Sequence, residues 1–310
     1  MIEIFKIVSP VFLLIGAGYV AGYRQAFTLV QANALMRFAT QFAVPCLLFI
    51  AVARLDLASA FKVNILIPFY IGASMSFVMT GICAFYVFRH KPGQCVAIGF
   101  SALFSNSVLI GIAIIELAYN SSALEIAFAI VAIHAPFCYV LGIISMEFCR
   151  ADGLSFQKTI LVATKQILSN ALTQGLILGF IVNLSGLQLP IPMITTIELM
   201  AKAALPAALF GLGAILVTYK MSSHFGEISV ITLNKLILHP TVAFLMGHYV
   251  FNLSPDILRV VVVMAAMPPG INAYVFANMY QRSEHIAASA VLFATAVSIV
   301  SISIWLALIS

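Results

Sequence analysis

Phe104-Ser105-Asn106-Ser107-Val108-Leu109-Ile110-Gly111-Ile112 and Met267-Pro268-Pro269-Gly270-Ile271-Asn272-Ala273-Tyr274 interrupt two long apolar runs, one in each half of a 310-residue chain. Both insert Gly, Pro, Ser or Asn where an apolar helix would otherwise run on. In lipid, each peptide group freed by such a break costs several kcal/mol unless protein or water satisfies it. Breaks of this kind therefore survive where they line a cavity.

Outside the two breaks the chain is apolar almost throughout. It is 63% hydrophobic and 8% charged, with a mean hydropathy of +1.12, against about 25% charged residues in an ordinary soluble domain. This is the composition of a polytopic membrane protein. At roughly 20 residues per span it accommodates about ten helices and leaves little for a soluble catalytic appendage. The formal charge of +5 and the pI near 9.0 come from short loops between apolar runs. There, basic residues report orientation and not a nucleic-acid partner. Cys46, Cys83, Cys95, Cys138 and Cys149 form no CxxC pair and have no histidine at ligand spacing. They read as small hydrophobes, so neither metal, disulfide nor cofactor is expected. The N-terminal run, with Glu3 and Lys6 and no small-residue cleavage site, reads as a retained first span.

Apolar windows bounded by charges and turn residues place spans at 3–23, 33–53, 64–88, 95–118 and 124–148, then at 166–186, 195–218, 228–251, 257–279 and 287–308. Residues 1–148 and 166–310 thus make two five-span halves joined by a short cytoplasmic connection at 149–165, which contains the polar stretch Cys149 to Lys158. Arg24, Arg89, Lys91, Arg150, Lys158, Lys165, Lys220 and Arg282 fall on one side, and chiefly Arg54, Lys62 and Arg259 on the other. The first side is expected to be cytoplasmic, in a cell membrane, with both termini outside. The halves also echo each other. Pro45-Cys46-Leu47-Leu48-Phe49 matches Pro206-Ala207-Ala208-Leu209-Phe210 at an offset of 161, and Ala113 meets Ala273 at an offset of 160, which brings the breaks into register. An odd number of spans per half makes the repeats inverted. Paired breaks in such repeats are the best sequence pointer to a secondary transporter's midplane site.

The run Arg37-Phe38-Ala39-Thr40-Gln41-Phe42-Ala43-Val44-Pro45-Cys46-Leu47-Leu48-Phe49 resembles the R-F-x-x-x-F-A-V-P-x-L-x-F pattern of the second helix in the auxin efflux carrier family. Ser105-Asn106-Ser107 leading to Gly111-Ile112, and Pro268, Gly270-Ile271 and Val275-Phe276-Ala277 leading to Tyr280, extend the resemblance over essentially the whole chain. The short central connection is similar to that of bacterial, malate or malonate permease-like members. The resemblance implies an all-α membrane protein of ten helices in two inverted repeats, with broken fourth and ninth helices that cross. It implies a dimerising scaffold from spans one, two, six and seven, and a transport domain from spans three to five and eight to ten that moves as an elevator. It also implies a small organic anion as substrate. One departure stands out. The family's crossing prolines are replaced by Ala113 and Ala273, so the breaks must rest on Gly111, Gly270 and Pro268-Pro269.

Broken helices present half-helix N-termini, whose unpaired N–H groups and partial positive charge suit a carboxylate. Ser105, Asn106 and Ser107 in the fourth span and Asn272 in the ninth either orient such a ligand or only cap freed backbone. Lys202, four residues before Pro206, either offsets the carboxylate or snorkels to the outer interface. His134 and His239 are the mid-span titratable groups, for proton coupling or for holding a backbone carbonyl. Lys235, Glu198, Glu116 and Glu147 are placed toward span ends. Asn170 opens the sixth span, either as a ligand contact or as a helix cap, and family members often have N-P there where this chain has Ala171. Gly16, Gly18, Gly22, Gly175 and Gly179 allow close helix approach.

An intramembrane enzyme would need a nucleophile with its base, or a metal set such as H-E-x-x-H, and no such spacing occurs. A receptor or assembly protein would usually carry an extramembrane domain. The reading that remains is a carrier of a small mono- or dicarboxylate.

Overall fold

The structure is a computed structural model that describes residues 2–119, 121–149, 164–165 and 168–309. The central connection from Arg150 to Ala163, with Arg150 and Lys158 of the charge count, lies outside the described residues. The described chain is helical: α1 (Ile2–Tyr23), α2 (Leu29–Ala53), α3 (Val63–Tyr86), α4 (Pro92–Leu103), α5 (Ser107–Ala118), α6 (Ser121–Cys149), α7 (Ala171–Ser185), α8 (Ile191–Leu216), α9 (Phe225–Val250), α10 (Pro255–Ala265), α11 (Ile271–Met279) and α12 (Glu284–Ile309). Seven of these, α1, α2, α3, α6, α8, α9 and α12, are long and apolar enough to cross a membrane. The expected fourth and ninth spans are each divided, into α4 with α5 and α10 with α11.

Local chemistry sets the ends. Thr28 and Gln31 form a capping box that starts α2 four residues before the expected 33. Gly186, at φ +64°, closes α7 in the left-handed region. Two of the prolines inside helices are accompanied by local rewinding. A π-turn at Ala39–Ala43 precedes Pro45 in α2, and another at Asn234–Leu238 precedes His239-Pro240 in α9. Pro240 has no N–H to offer Leu236 four residues back. The Leu236 carbonyl instead accepts from Trp305 Nε1 at 2.9 Å and Ser301 Oγ at 3.3 Å, which ties α9 to α12.

The helices fall into two compact units. One comprises residues 9–60 and 164–218. Within it, small residues let backbones touch. A Cβ at Gly18 would stand 2.0 Å from the Phe210 carbonyl oxygen, and one at Gly175 2.5 Å from that of Pro45, so α1 packs on α8 and α7 on α2. Gly16, by contrast, faces open space. The Asn183 amide donates to the carbonyls of Val52, Ala53 and Leu55 and satisfies the C-terminal end of α2. Arg54 pairs with Glu198 at 2.7 Å.

The other unit comprises residues 1–8, 61–163 and 219–310. Here α4 is enclosed nearly all round, with Cys95 through Leu103 buried without exception, and α10 is buried from Val260 to Ala265. Helices apolar on every side belong inside a bundle. Phe100 and Phe276 stack at 3.8 Å between ring centroids and join α4 to α11. Outward faces carry exposed Leu, Ile, Val and Phe, such as Val78, Ile82, Val140, Val300 and Leu308. That is the surface of a protein solvated by lipid.

Candidate functional site

At the interruptions the two halves bond to each other, backbone to backbone. Residues 104–106 and 268–270 run antiparallel. The Asn106 N–H donates to the Pro268 carbonyl at 2.8 Å, the Gly270 N–H donates to the Phe104 carbonyl at 2.9 Å, and Ser105 faces Pro269 between them. Ser105 and Pro269 thus occupy the position whose N–H groups point away from the pair. Each side solves the resulting problem of a buried donor differently. The Ser105 N–H donates to His134 Nε2 at 2.9 Å, and Pro269 has no N–H to satisfy. Gly270 permits the approach, since a Cβ there would lie 3.3 Å from both the Phe104 ring and the Ser105 carbonyl oxygen.

A buried polar cluster surrounds this pair. Lys235, on the π-turn of α9, is fully buried and donates a hydrogen bond to Ser105 Oγ. Its Nζ also lies 2.9 Å from His239 Nδ1, one helical turn on. His239 Nδ1 accepts from the lysine, which leaves its Nε2–H to donate to the Phe69 carbonyl at 2.9 Å. By the same reasoning His134, accepting at Nε2, carries its proton on Nδ1, beside Cys138 Sγ at 3.7 Å. Phe69 and Phe104 pack edge-on against His134, and Phe69 likewise against His239. The cluster therefore joins α3, the α4–α5 break, α6 and α9. Next along the chain from Ser105, two buried polar atoms have no partner among the described residues: Asn106 Nδ2 and Ser107 Oγ.

The remaining residues singled out by sequence are placed as follows. Gly111 ends the π-turn that opens α5, and Asn272 is the second residue of α11, half-buried. Pro268 and Pro269 lie in the non-helical stretch between α10 and α11. Ala113 and Ala273 are not at the breaks: both are helical and buried, within α5 and α11 respectively. The interruption falls earlier, where prolines and the antiparallel pair stop the helices. Lys202 is exposed on α8 and Asn170 accepts from the Leu172 N–H at 2.9 Å as the cap of α7, and both belong to the other unit. Glu198 is half-buried and paired with Arg54, and Glu116 is exposed.

Lys235 is the residue that sequence reading misplaces. It sits ten residues into α9, not at a span end, and no part of it meets solvent. A signal was present: a single lysine in an otherwise apolar run, four residues before His239-Pro240.

The chain also matches known proteins over its whole length. The family model described as membrane transport protein covers residues 3–306. A putative malonate transporter of Rhizobium meliloti is 24% identical over 309 residues, covering 98% of this chain and 95% of that protein. An uncharacterized transporter of Escherichia coli is 25% identical, covering 88% of each. Auxin efflux carrier component 5 of Arabidopsis thaliana is 23% identical, covering 96% of this chain and 95% of its own. A polytopic helical chain with paired helix breaks, matched from end to end by carriers, belongs to the membrane transport protein family, that of the auxin efflux carriers.

Proposed function

We propose that this protein is a secondary carrier of a small organic anion, whose carboxylate binds at the paired breaks. The observation that carries the reading is the pair of unpartnered buried donors, Asn106 Nδ2 and Ser107 Oγ, at the start of α5. Buried polar groups are ordinarily satisfied. An acceptor-only group such as a carboxylate would satisfy both, at a helix start whose partial positive charge favours an anion. Gly111, Gly270 and Asn272 flank the same place from the two halves. The relatives named for malonate and for auxin both support a carboxylate cargo.

The architecture proposed with it is ten spans in two inverted five-span repeats, the fourth and ninth broken and crossing. Four of the expected spans fall in the unit of residues 9–60 and 164–218. This partition supports a dimerising scaffold of spans one, two, six and seven. The other unit, which holds the breaks, would be the moving element of an elevator. The bias of Lys and Arg toward one set of loops supports a cytoplasmic central connection and external termini.

Purified protein melted in the presence of malonate, auxin and other small carboxylates tests the reading, because a ligand of the native state raises the melting point. Asn106→Ala is expected to leave the ligand-free melting point within a degree or two and to weaken both the ligand shift and uptake into proteoliposomes about tenfold, the worth of one charge-assisted hydrogen bond. Unchanged uptake by the folded variant would remove Asn106 from the site.

A further inference from the structure

Lys235 carries a feature that the proposed anion site does not itself use. Its ammonium is wholly buried, and among the described residues no carboxylate pairs with it. The groups that reach its Nζ are Ser105 Oγ and the Nδ1 of His239, both uncharged when His239 accepts from the lysine and donates to Phe69. An ammonium has three donors. Two are taken, and the third has no acceptor among the described residues. Charges inside a membrane protein are expensive and, where retained, pair with something or mark the path of a charged substrate. Here the described residues supply no anion, and Ser105 holds the lysine nitrogen at the break itself, where Asn106 and Ser107, with their unpartnered atoms, follow in the chain.

We propose that Lys235 is the specificity-determining countercharge of the transported anion: its free N–H takes one carboxylate oxygen of the substrate, while Asn106 and Ser107 take the remaining lone pairs. This inference rests on the carboxylate reading above and adds to it the residue that reads charge. Neutral donors and a helix terminus discriminate poorly between a carboxylate and its amide, because an amide oxygen accepts the same bonds. A buried ammonium discriminates strongly. With one positive charge held at the site, a single carboxylate leaves the loaded site neutral, so a substrate with one charge at the break is favoured over a neutral isostere. Ser105 and His239 are then positioning residues, which hold the ammonium in place from the break and from α9.

The test compares carboxylates with their amides. Malonate and acetate, and malonamide and acetamide, are titrated against the full chain in detergent at constant ionic strength, with binding read from melting shifts. The wild type is expected to respond to the acids and not to the amides. Lys235→Met removes the charge at nearly constant length, and replacing a buried charge by an apolar isostere often leaves stability unchanged or raised. This variant is expected to fold and to lose at least tenfold in apparent affinity for the acids, about 1.4 kcal/mol. Lys235→Gln should behave alike, and Lys235→Arg should keep the preference for acid over amide. If folded Lys235→Met still separates acid from amide as the wild type does, Lys235 only braces Ser105 and His239, and the inference is overturned while the role of Asn106 stands. If no carboxylate shifts the wild type, the anion reading falls and takes this one with it. A measurement without substitution guards against a variant that fails to fold. Nitrate, which offers charge without a carboxylate's shape, is expected to compete with malonate on the wild type, and absence of competition overturns the proposal.

Discussion

Pro269 offers a direct test of how the break is held. It faces Ser105 at the outward-pointing position of the antiparallel pair, among residues that are buried on both sides, Met267 at 0% exposure and Gly270. Pro269→Ala adds one N–H there. Its counterpart at Ser105 has His134 to accept it, whereas at position 269 the pairing itself provides no acceptor, because an N–H there points away from residues 104–106. A buried donor left unsatisfied costs about 1–3 kcal/mol. Losing the proline's restriction of the unfolded chain adds about 0.4–1 kcal/mol. The expected total is about 1.5–4 kcal/mol. For a body of this size that is a fall in melting point of roughly 3–15 °C. The control is Pro255→Ala at the exposed first position of α10, where a helix N–H is unpaired in any case, so only the smaller, unfolded-state part applies. Both variants are melted in detergent without ligand, and the difference between them isolates the N–H. Equal melting of Pro269→Ala and Pro255→Ala would refute the argument that proline is present to remove a donor.

Two further substitutions test the packing. A Cβ at Gly72 would meet both the His239 ring and its carbonyl oxygen at 2.7 Å, and the carbonyl cannot swing aside. Gly72→Ala should therefore spread α3 from α9, cost about 1–3 kcal/mol and slow transport by loosening the His239–Phe69 bond. Gly16→Ala, facing open space, should stabilise by about 0.5–1 kcal/mol from helix propensity alone. Parallel melting curves decide, and a harmless Gly72→Ala would contradict the close approach. Asn183→Ala withdraws the one amide that serves the Val52, Ala53 and Leu55 carbonyls. A loss of about 1–3 kcal/mol is expected, and thermal melting without ligand measures it.

The spans were legible because hydropathy acts locally: a run such as 124–148 can only be an apolar helix, and the structure forms Ser121–Cys149 there. The breaks were legible for the same reason, since Pro268-Pro269 and Ser105-Asn106-Ser107 are local offences against a helix. Their positions were less so. The offset of 160 matches Val108 and Leu109 to Pro268 and Pro269. In the second half those prolines keep the chain extended. In the first half the matched residues can wind, and they form the π-turn Ser107–Gly111. Equivalent places therefore hold different backbones, and the interruption in each half lies ahead of Ala113 and Ala273. Lys235 was only partly legible: its partner His239 lies four residues on, but Ser105 comes from 130 residues away. Sequence periodicity ranks a lysine by its distance from a span's end, and that distance says nothing about a hydroxyl delivered by another helix.

The hydrogen bonds at the break divide into those that hold the fold and side-chain donors that the fold leaves over. The backbone groups that the interruption frees are matched with care: Asn106 and Gly270 bond across the pair, Ser105 has a histidine, and Pro269 lacks the group that would need matching. Had the side chains there served only as caps, Asn106 Nδ2 would be spent on one of those carbonyls, yet the carbonyls of Phe104 and Pro268 already accept from main-chain donors. Asn106 Nδ2, Ser107 Oγ and the third N–H of Lys235 are left over together, and all of them can donate. Under the function proposed above, these leftover donors and the buried lysine are the groups that a small, acceptor-rich anion would engage.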